Sequence, residues 1–170
     1  MVNNVTATHP NGRVSLRKWP GERCATTYQA NSTLKTYGFT PVGDVRILDD
    51  SRFQIAFNHN DAEHWTNCIY VFAINDEIVR IGSTQQSLRA RMKNWQKNVT
   101  DALHGRKSQT PEKEASLWRQ ELSDFGSGRL WARKGTNFTS EILHGEMSAH
   151  ESEEKALIRR HMPRLNRSYR

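Results

Sequence analysis

The chain has 170 residues, enough for one domain with a substantial core and too few for two. A formal net charge of +7 and a sequence pI of about 9.7 favour a polyanionic partner. The longest apolar run, residues 68–74, is far shorter than the ~20 residues of a membrane-spanning helix, which excludes such a helix here.

The amino terminus and the cysteines bear on the cellular compartment. Residues 1–10 are polar and do not resemble a signal peptide. The chain has two cysteines, Cys24 and Cys68, which are too few for a disulfide framework or a zinc site. Cys68 opens an apolar segment, where a small buried residue is expected. We therefore expect a reduced, cytoplasmic protein.

The first part of the chain, residues 1–65, differs in composition from the rest. It holds three of the five prolines and several glycine turn signals. Residues 52–57 alternate between apolar and polar or small side chains, as a half-buried strand does, and pair with residues 44–48 in a predicted hairpin. We interpret residues 1–65 as an N-terminal β-rich extension, which would serve as a DNA-binding or oligomerisation arm.

A second hairpin is the strongest structural signal in the sequence. Six apolar residues, 69–74, precede the polar residues 75–77 and a further apolar segment that ends at Gly82. A three-residue loop would put Tyr70 and Arg80 on one face of the hairpin, whereas a two-residue loop would put them on opposite faces. Only the first arrangement brings a phenol and a guanidinium to one site. We predict a turn over residues 75–77, which gives that arrangement, but the hairpin alone leaves open that Tyr70 is an ordinary strand aromatic and Arg80 a solvated edge residue.

Three helices and one strand are predicted after this hairpin. The first helix follows a capping-box spacing at Ser83 and spans residues 84–103. The second runs from Pro111 to residue 125, and a short alternating strand follows at residues 129–134. A capping-box spacing at Ser148 opens the third helix, which ends near His161. We predict an α+β fold with a small antiparallel or mixed β-sheet flanked by helices.

Glu154 occupies an unusual position on the last predicted helix. At 100° per residue, Leu157 lies about 60° to one side of it and Ile158 about 40° to the other. Glu154 is therefore central to the apolar stripe, whereas Glu153 points about 100° away. A carboxylate in an apolar stripe is costly unless a cation meets it. That cation is either a metal ion or an arginine of the chain, and the pattern alone does not choose.

Several short motifs occur in a fixed order. They are Cys68-Ile69-Tyr70 with Arg80-Ile81-Gly82, Leu88-x-x-Arg91, and Glu154-x-x-Leu157-Ile158 with Pro163 and Asn166. Together they resemble the signatures of the GIY-YIG nuclease family over about residues 66–167. The resemblance implies a nuclease domain over residues 66–170, with the small sheet and flanking helices of that family.

The resemblance also implies roles for individual residues. Glu154 would hold a divalent metal ion, Mg²⁺ with Mn²⁺ as a substitute, because a hard oxygen ligand suits a hard cation. Arg91, which the family spacing selects over Arg89, would hold an oxygen of the scissile phosphate. Tyr70 would orient or deprotonate the attacking water, and Arg80 beside it would stabilise the phenolate.

Two departures from the family pattern leave the general base open. Arg80 stands where the family has its second tyrosine, and Trp95 stands where it usually has His or Tyr. Neither side chain accepts a proton near neutral pH. His150 and His161, on the same side of the last helix as Glu154, are candidates for that base. The supporting residues of the predicted site are Gly82, His150 and Asn166.

Basic residues are concentrated in two segments. Seven Lys or Arg and one acid lie between residues 80 and 107, and five Arg and no acid lie between 159 and 170. We predict contacts with the DNA backbone from Lys93, Lys97, Arg106, Lys107, Arg164 and Arg167.

The sequence thus predicts a Mg²⁺-dependent endonuclease that acts on double-stranded DNA, of a phage type or a restriction type. Cutting both strands requires two active sites or two visits, which favours a homodimer or homotetramer. The alternative is a catalytically impaired, GIY-YIG-like DNA-binding module.

Overall fold

A computed structural model describes residues 30–142 and 144–166 of the chain. Cys24, Arg167 and the first 29 residues of the predicted extension lie outside these ranges. The elements in chain order are α1 (Ala30–Thr36), β1 (Thr40–Ile47), β2 (Phe53–Phe57), a 3₁₀ turn (Ala62–His64), β3 (Cys68–Ile74), β4 (Glu77–Thr84), α2 (Leu88–Leu103), α3 (Glu112–Phe125), β5 (Gly128–Lys134), β6 (Asn137–Ser140), β7 (Gly145–Ser148) and α4 (His150–His161).

Five of the strands form one sheet in the order β2-β1-β5-β3-β4, and every pairing is antiparallel. One face packs against α2 and α3, through residues such as Phe72 and Trp118. The other face packs against α1 and α4, through residues such as Val71 and Ile158. The predicted α+β class, a small sheet flanked by helices, is confirmed. None of the helices in the described ranges has the length and apolarity to cross a membrane.

The predicted N-terminal hairpin is part of this sheet. β1 and β2 pair from Gly43 with Phe57 to Ile47 with Phe53, and β1 also pairs with β5. The sheet is therefore continuous across the boundary predicted at residue 65, so residues 40–57 do not form a separate unit. The role of residues 1–65 as an arm stays a prediction.

The turn between β3 and β4 differs from the prediction. Ile74 pairs with Glu77, so the loop has two residues, not three. Those residues, Asn75 and Asp76, have φ angles of 50° and 59°. Positive φ at both central positions is the requirement of a type I′ turn, which matches the twist of the strands. The preference of Asn and Asp for this conformation explains why the turn is shorter than the polar segment.

A β-bulge in the same hairpin restores the predicted placement of the side chains. Phe72 pairs with Arg80 but Ala73 pairs with Ile78, so Val79 is an extra residue in β4. One extra residue reverses the inward and outward alternation. Arg80 therefore lies on the same face of the sheet as Tyr70, as the three-residue loop would have placed it.

Two predicted helix starts are wrong. β4 continues to Thr84, and α2 begins at Leu88, where the Ser87 hydroxyl accepts a hydrogen bond from the Ala90 N–H at 3.3 Å. The predicted cap at Ser83 is not used, because that residue is still in the strand. At the start of α4 no side chain caps the helix, so the predicted capping box at Ser148 does not form.

Cys68 behaves as predicted for a small core residue. Its side chain is fully buried at the start of β3. Burial raises the pKa of the thiol to about 11. The thiol therefore stays protonated near neutral pH and is chemically inert.

Candidate active site

A cleft of about 400 Å³ lies along the open edge of β4, between α2 and α3 on one side and α4 on the other. The four residues predicted to be catalytic, Tyr70, Arg80, Arg91 and Glu154, all line it. They come from β3, β4, α2 and α4. The fold therefore gathers at one cleft residues that are up to 84 positions apart in the sequence.

Gly82 is required by the ring of Tyr70. The two residues are cross-strand partners, and a Cβ atom at position 82 would lie 2.4 Å from the Tyr70 hydroxyl oxygen. Real Cβ atoms do not approach other atoms so closely, so only glycine lets the ring lie across β4. This contact gives a physical reason for the glycine of the Arg80-Ile81-Gly82 motif.

Arg91 is the cation beside Tyr70. Its Nε donates a hydrogen bond to the Tyr70 hydroxyl at 3.0 Å, so the phenolic oxygen is an acceptor there. Within the part of the chain that the structure describes, the two terminal nitrogens of Arg91 make no hydrogen bond. Arg89, which periodicity alone could not distinguish from Arg91, instead pairs with Glu63 at 3.3 Å. Arg91 is thus placed to contact a bound anion.

Arg80 has a different partner from the one predicted. Its Nη1 lies 2.9 Å from Glu114 Oε1, and its guanidinium packs 4.8 Å from the centre of the Trp95 ring. The expected stabilisation of a Tyr70 phenolate by Arg80 is therefore corrected, because Glu114 holds this guanidinium. Arg91 occupies the position that was expected of Arg80.

The two adjacent glutamates of α4 have different environments. Glu153 accepts hydrogen bonds from the Thr136 hydroxyl at 2.7 Å and pairs with Arg133 at 3.2 Å. Burial alone would raise the pKa of Glu153, but the hydrogen bonds from Thr136 and Arg133 outweigh it and lower the pKa. Glu154, half-buried in the cleft, accepts a hydrogen bond from the Ser83 hydroxyl through Oε2. No ion pair to Glu154 forms among residues 30–142 and 144–166, so its Oε1 is open to a ligand from outside.

The donor set of the cleft fits one hydrated divalent cation. No group of three or more His, Cys, Asp or Glu side chains in the described ranges could hold a metal ion. The cleft has two carboxylates, Glu114 and Glu154, and Arg80 engages the first. Mg²⁺ is commonly bound through one or two carboxylates and keeps several waters. Glu154, oriented by Ser83, is a suitable ligand of this kind.

The histidines proposed as a general base do not line the cleft. His150 is buried, with Nδ1 3.2 Å from the Ser148 hydroxyl at the beginning of α4. His161 packs edge-on against Tyr37, with 5.7 Å between the ring centroids. Burial and the Arg160 charge lower the pKa of His161. Both histidines therefore belong to the packing of α4.

Asn166 lies in the cleft but bonds to the strand, not to Glu154. Its Oδ1 accepts a hydrogen bond from the Ile81 N–H at 2.9 Å, and its Nδ2 donates to the Ile81 carbonyl at 2.7 Å. These two bonds satisfy backbone groups on the open edge of β4. Asn166 thus holds the C-terminal segment against the strand next to Gly82.

The residues predicted to contact DNA fall into different settings. Lys97 and Arg106 both pair with Asp101, at 3.0 and 2.8 Å, on the side of α2 that faces β2. Arg164 pairs with Glu77 and Glu121, and these two carboxylates argue against the predicted DNA contact. The remaining two described residues of the set, Lys93 and Lys107, are exposed.

Sequence reasoning missed two site residues, Ser83 and Glu114. Glu114 lies four residues before Trp118, so it falls on the apolar stripe of α3. The wheel argument that selected Glu154 would have selected it too. Ser83 carried no comparable signal, because it was assigned to a helix cap and not to the end of a strand.

The fold is similar to that of a GIY-YIG nuclease of known structure. A mutant of bacteriophage T4 EndoII, a protein of that kind, superimposes with a TM-score of 0.60 and 22% sequence identity, over 82% of this chain and 100% of that one. This likeness confirms the fold predicted from the motifs, for which the endonuclease II of T-even bacteriophages was the expected relative.

A second similar structure is the restriction endonuclease HPY188I in complex with product DNA. Its TM-score is 0.48 and its sequence identity 15%, over 78% of this chain and 80% of that one. By sequence, no family model and no curated protein matches the chain.

Proposed function

We propose that this protein is an endonuclease that hydrolyses phosphodiester bonds in double-stranded DNA. The observation that carries the proposal is a pair of charges in one cleft, Arg91 and Glu154, that form no ion pair with the described residues, on a nuclease fold. A phosphate would compensate the first and a divalent cation the second. The net charge of +7 supports a polyanionic substrate.

Each residue of the cleft has a role in this proposal. The two terminal nitrogens of Arg91 would donate to non-bridging oxygens of the scissile phosphate. Tyr70 would orient the attacking water through its hydroxyl group, whose oxygen already accepts a hydrogen bond from Arg91. Ser83 would keep Oε1 of Glu154 turned toward the cleft. The group that finally accepts the proton of the water is not assigned to Arg80 or Trp95, since neither can accept one.

Glu154 would be the protein ligand of Mg²⁺, or of Mn²⁺ in its place. When bound, such an ion supplies charge stabilisation to phosphoryl and leaving oxygens. The single accessible carboxylate supports a weakly held, hydrated ion, so chelation should be readily reversible. For cutting both strands, a homodimer or homotetramer would supply a second site.

The test is incubation with supercoiled plasmid, with and without Mg²⁺, for the wild type and for Glu154→Gln. We expect nicked or linear products from the wild type in the presence of Mg²⁺ and none in its absence. Glu154→Gln should give none in either case, because the uncharged amide cannot replace the carboxylate as a ligand. Glu153→Gln is the matched control, since it removes the adjacent carboxylate, which is bound by Arg133 and Thr136 outside the cleft. It should cut like the wild type.

The alternative, a DNA-binding module without turnover, is favoured by the replacement of proton-accepting groups with Arg80 and Trp95. Retention of labelled DNA without any Mg²⁺-dependent nicking by the wild type would establish that alternative. Equal cutting by Glu154→Gln and the wild type would instead place the metal on another residue.

A further inference from the structure

A buried ion pair in the cleft has no role in the proposed reaction. Arg80 and Glu114 are 2.9 Å apart, and their side chains are only 18% and 8% exposed. Such a pair is costly to bury unless further hydrogen bonds satisfy its groups. The guanidinium of Arg80 does make a further bond, to a backbone carbonyl distant in sequence.

That carbonyl belongs to a short segment after α4, residues 163–166, which we call the C-terminal strap. Arg80 Nη1 donates to the Leu165 carbonyl at 2.6 Å. The Leu165 N–H donates to the Val79 carbonyl at 3.0 Å, and Asn166 makes its two bonds to Ile81. The strap therefore runs along the open edge of β4 and forms one wall of the cleft.

Arg80 connects β4, the strand on which it lies, to three other segments. Its guanidinium joins β4 to α3 through Glu114 and to the strap through Leu165, and it rests against Trp95 of α2. An arginine is suited to this, because it stays charged and has several donors in a rigid plane. A tyrosine at position 80 would have one hydroxyl and no charge, so it could not neutralise Glu114 while bonding to the strap.

We propose that Arg80 is a positioning residue that holds the C-terminal strap against β4 and so fixes the wall of the cleft beside Tyr70. Arg80 acts through Glu114 and the strap, not through contact with the phosphate. The catalytic consequence rests on the proposed nuclease function, whereas the structural consequence does not.

The test uses Arg80→Met alone and together with Glu114→Met. The single variant removes the guanidinium that pairs with Glu114 and bonds to the strap, and we expect amide hydrogen exchange at Ile81 and Leu165 to quicken by about tenfold or more. Plasmid cleavage should show kcat lowered by about 100-fold, with KM little changed, since displacement of a site by about 1 Å has this effect. The double variant also removes the Glu114 charge, but it too lacks the bond from Arg80 to Leu165, so exchange should stay fast and kcat low.

Three outcomes would overturn the inference. The first is unchanged exchange in Arg80→Met. The second is a double variant with restored exchange but the kcat of the single variant, which would mean that Arg80 contacts the substrate. The third is a double variant in which both quantities recover, because the Glu114 charge and not the bond from Arg80 to the strap would then control them. If the wild type does not cut DNA, the nuclease proposal fails, but the exchange data still decide whether Arg80 holds the strap.

Discussion

The two open edges of the sheet, β2 and β4, both lie beside basic residues of α2. The edges differ in whether an acidic side chain of the described residues pairs with those basic residues. At the β2 edge, α2 borders a groove of about 320 Å³, which we call the β2–α2 groove. Its lining residues are Leu48, Arg52, Phe53, Gln54, Lys93, Gln96, Lys97, Thr100, Asp101 and Arg106. There Asp101 pairs with both Lys97 and Arg106. At the β4 edge, Arg91 and Glu154 line one cleft, and neither forms an ion pair within the described ranges.

The comparison separates charges that the fold satisfies from charges that it leaves for a ligand. In the groove, the hydrogen bond from Lys97, together with the Lys97 and Arg106 charges, lowers the pKa of Asp101. In the cleft, none of the described residues forms an ion pair with Arg91 or Glu154. Uncompensated opposite charges in a concave site are typical of functional groups.

Of the substitutions that test this contrast between the cleft and the β2–α2 groove, Arg91→Ala should have the largest effect. We expect a loss of roughly 10³-fold in the rate of cleavage, since a transition-state arginine is worth about that much in phosphoryl transfer. DNA retention should be nearly unchanged, because the proposed contacts with the DNA backbone involve other cations as well. Single-turnover cleavage and filter binding measure the two quantities.

Arg89→Ala is the matched control for Arg91→Ala. It removes an arginine two residues away that pairs with Glu63 outside the cleft. Its cleavage rate should stay within a few-fold of the wild type. Near-normal cutting by Arg91→Ala, or equal losses in both variants, would contradict the role assigned to Arg91.

Substitutions in the β2–α2 groove should change DNA binding, by less than Arg91→Ala changes the cleavage rate. Lys93→Ala should weaken binding and reduce the slope of log K against log salt by about 0.9, as expected for one lost phosphate contact. Lys97→Ala should change the slope less, because Lys97 is already held by Asp101 at 3.0 Å. Titrations of a duplex at several salt concentrations compare the two variants. Identical slopes for both would show that the internal ion pair does not limit contact with DNA.

The smallest expected effect concerns the stability contributed by Glu153. Its pKa is lower in the folded protein than the ordinary value of 4.5, so ionised Glu153 stabilises the fold above that pH. This contribution should be lost as the pH falls from about 4.5 through the folded pKa, and it should be worth about 1 kcal/mol or less. Urea unfolding of the wild type and Glu153→Gln between pH 3 and 7 measures it. A difference in stability between the two that grows below pH 4.5 would contradict this assignment.

The sequence predicted those parts of the fold that depend on local periodicity. Apolar runs located β3 and β4, and alternation located β2, because strands that pack against helices impose these patterns. The hairpin of β6 and β7 was missed, since its large apolar residues are exposed: Phe138 is 48% and Met147 40% accessible. Helix α1 was missed too, because its seven residues are too few for a periodic signal.

The candidate site was predicted where motif spacing and the helical wheel agreed. Motif spacing and the wheel both selected Glu154, and this residue lines the cleft. Arg91 also lines the cleft, but only motif spacing selected it, because the wheel alone could not choose between Arg89 and Arg91. The partners of Arg80 could not be predicted, because Glu114 and Leu165 are distant in sequence and meet it only in the folded chain. Tertiary contacts of this kind leave no local pattern.

The bulge at Val79 has a consequence for insertions and deletions. The length of the turn does not by itself decide which face of the hairpin a side chain occupies. An extra residue in the strand compensates for a missing one in the loop. Deleting Val79 alone would turn the Arg80 side chain to the opposite face. Deleting it while lengthening the turn by one residue would leave Tyr70 and Arg80 in phase, so a variant with this longer turn can keep the same cleft.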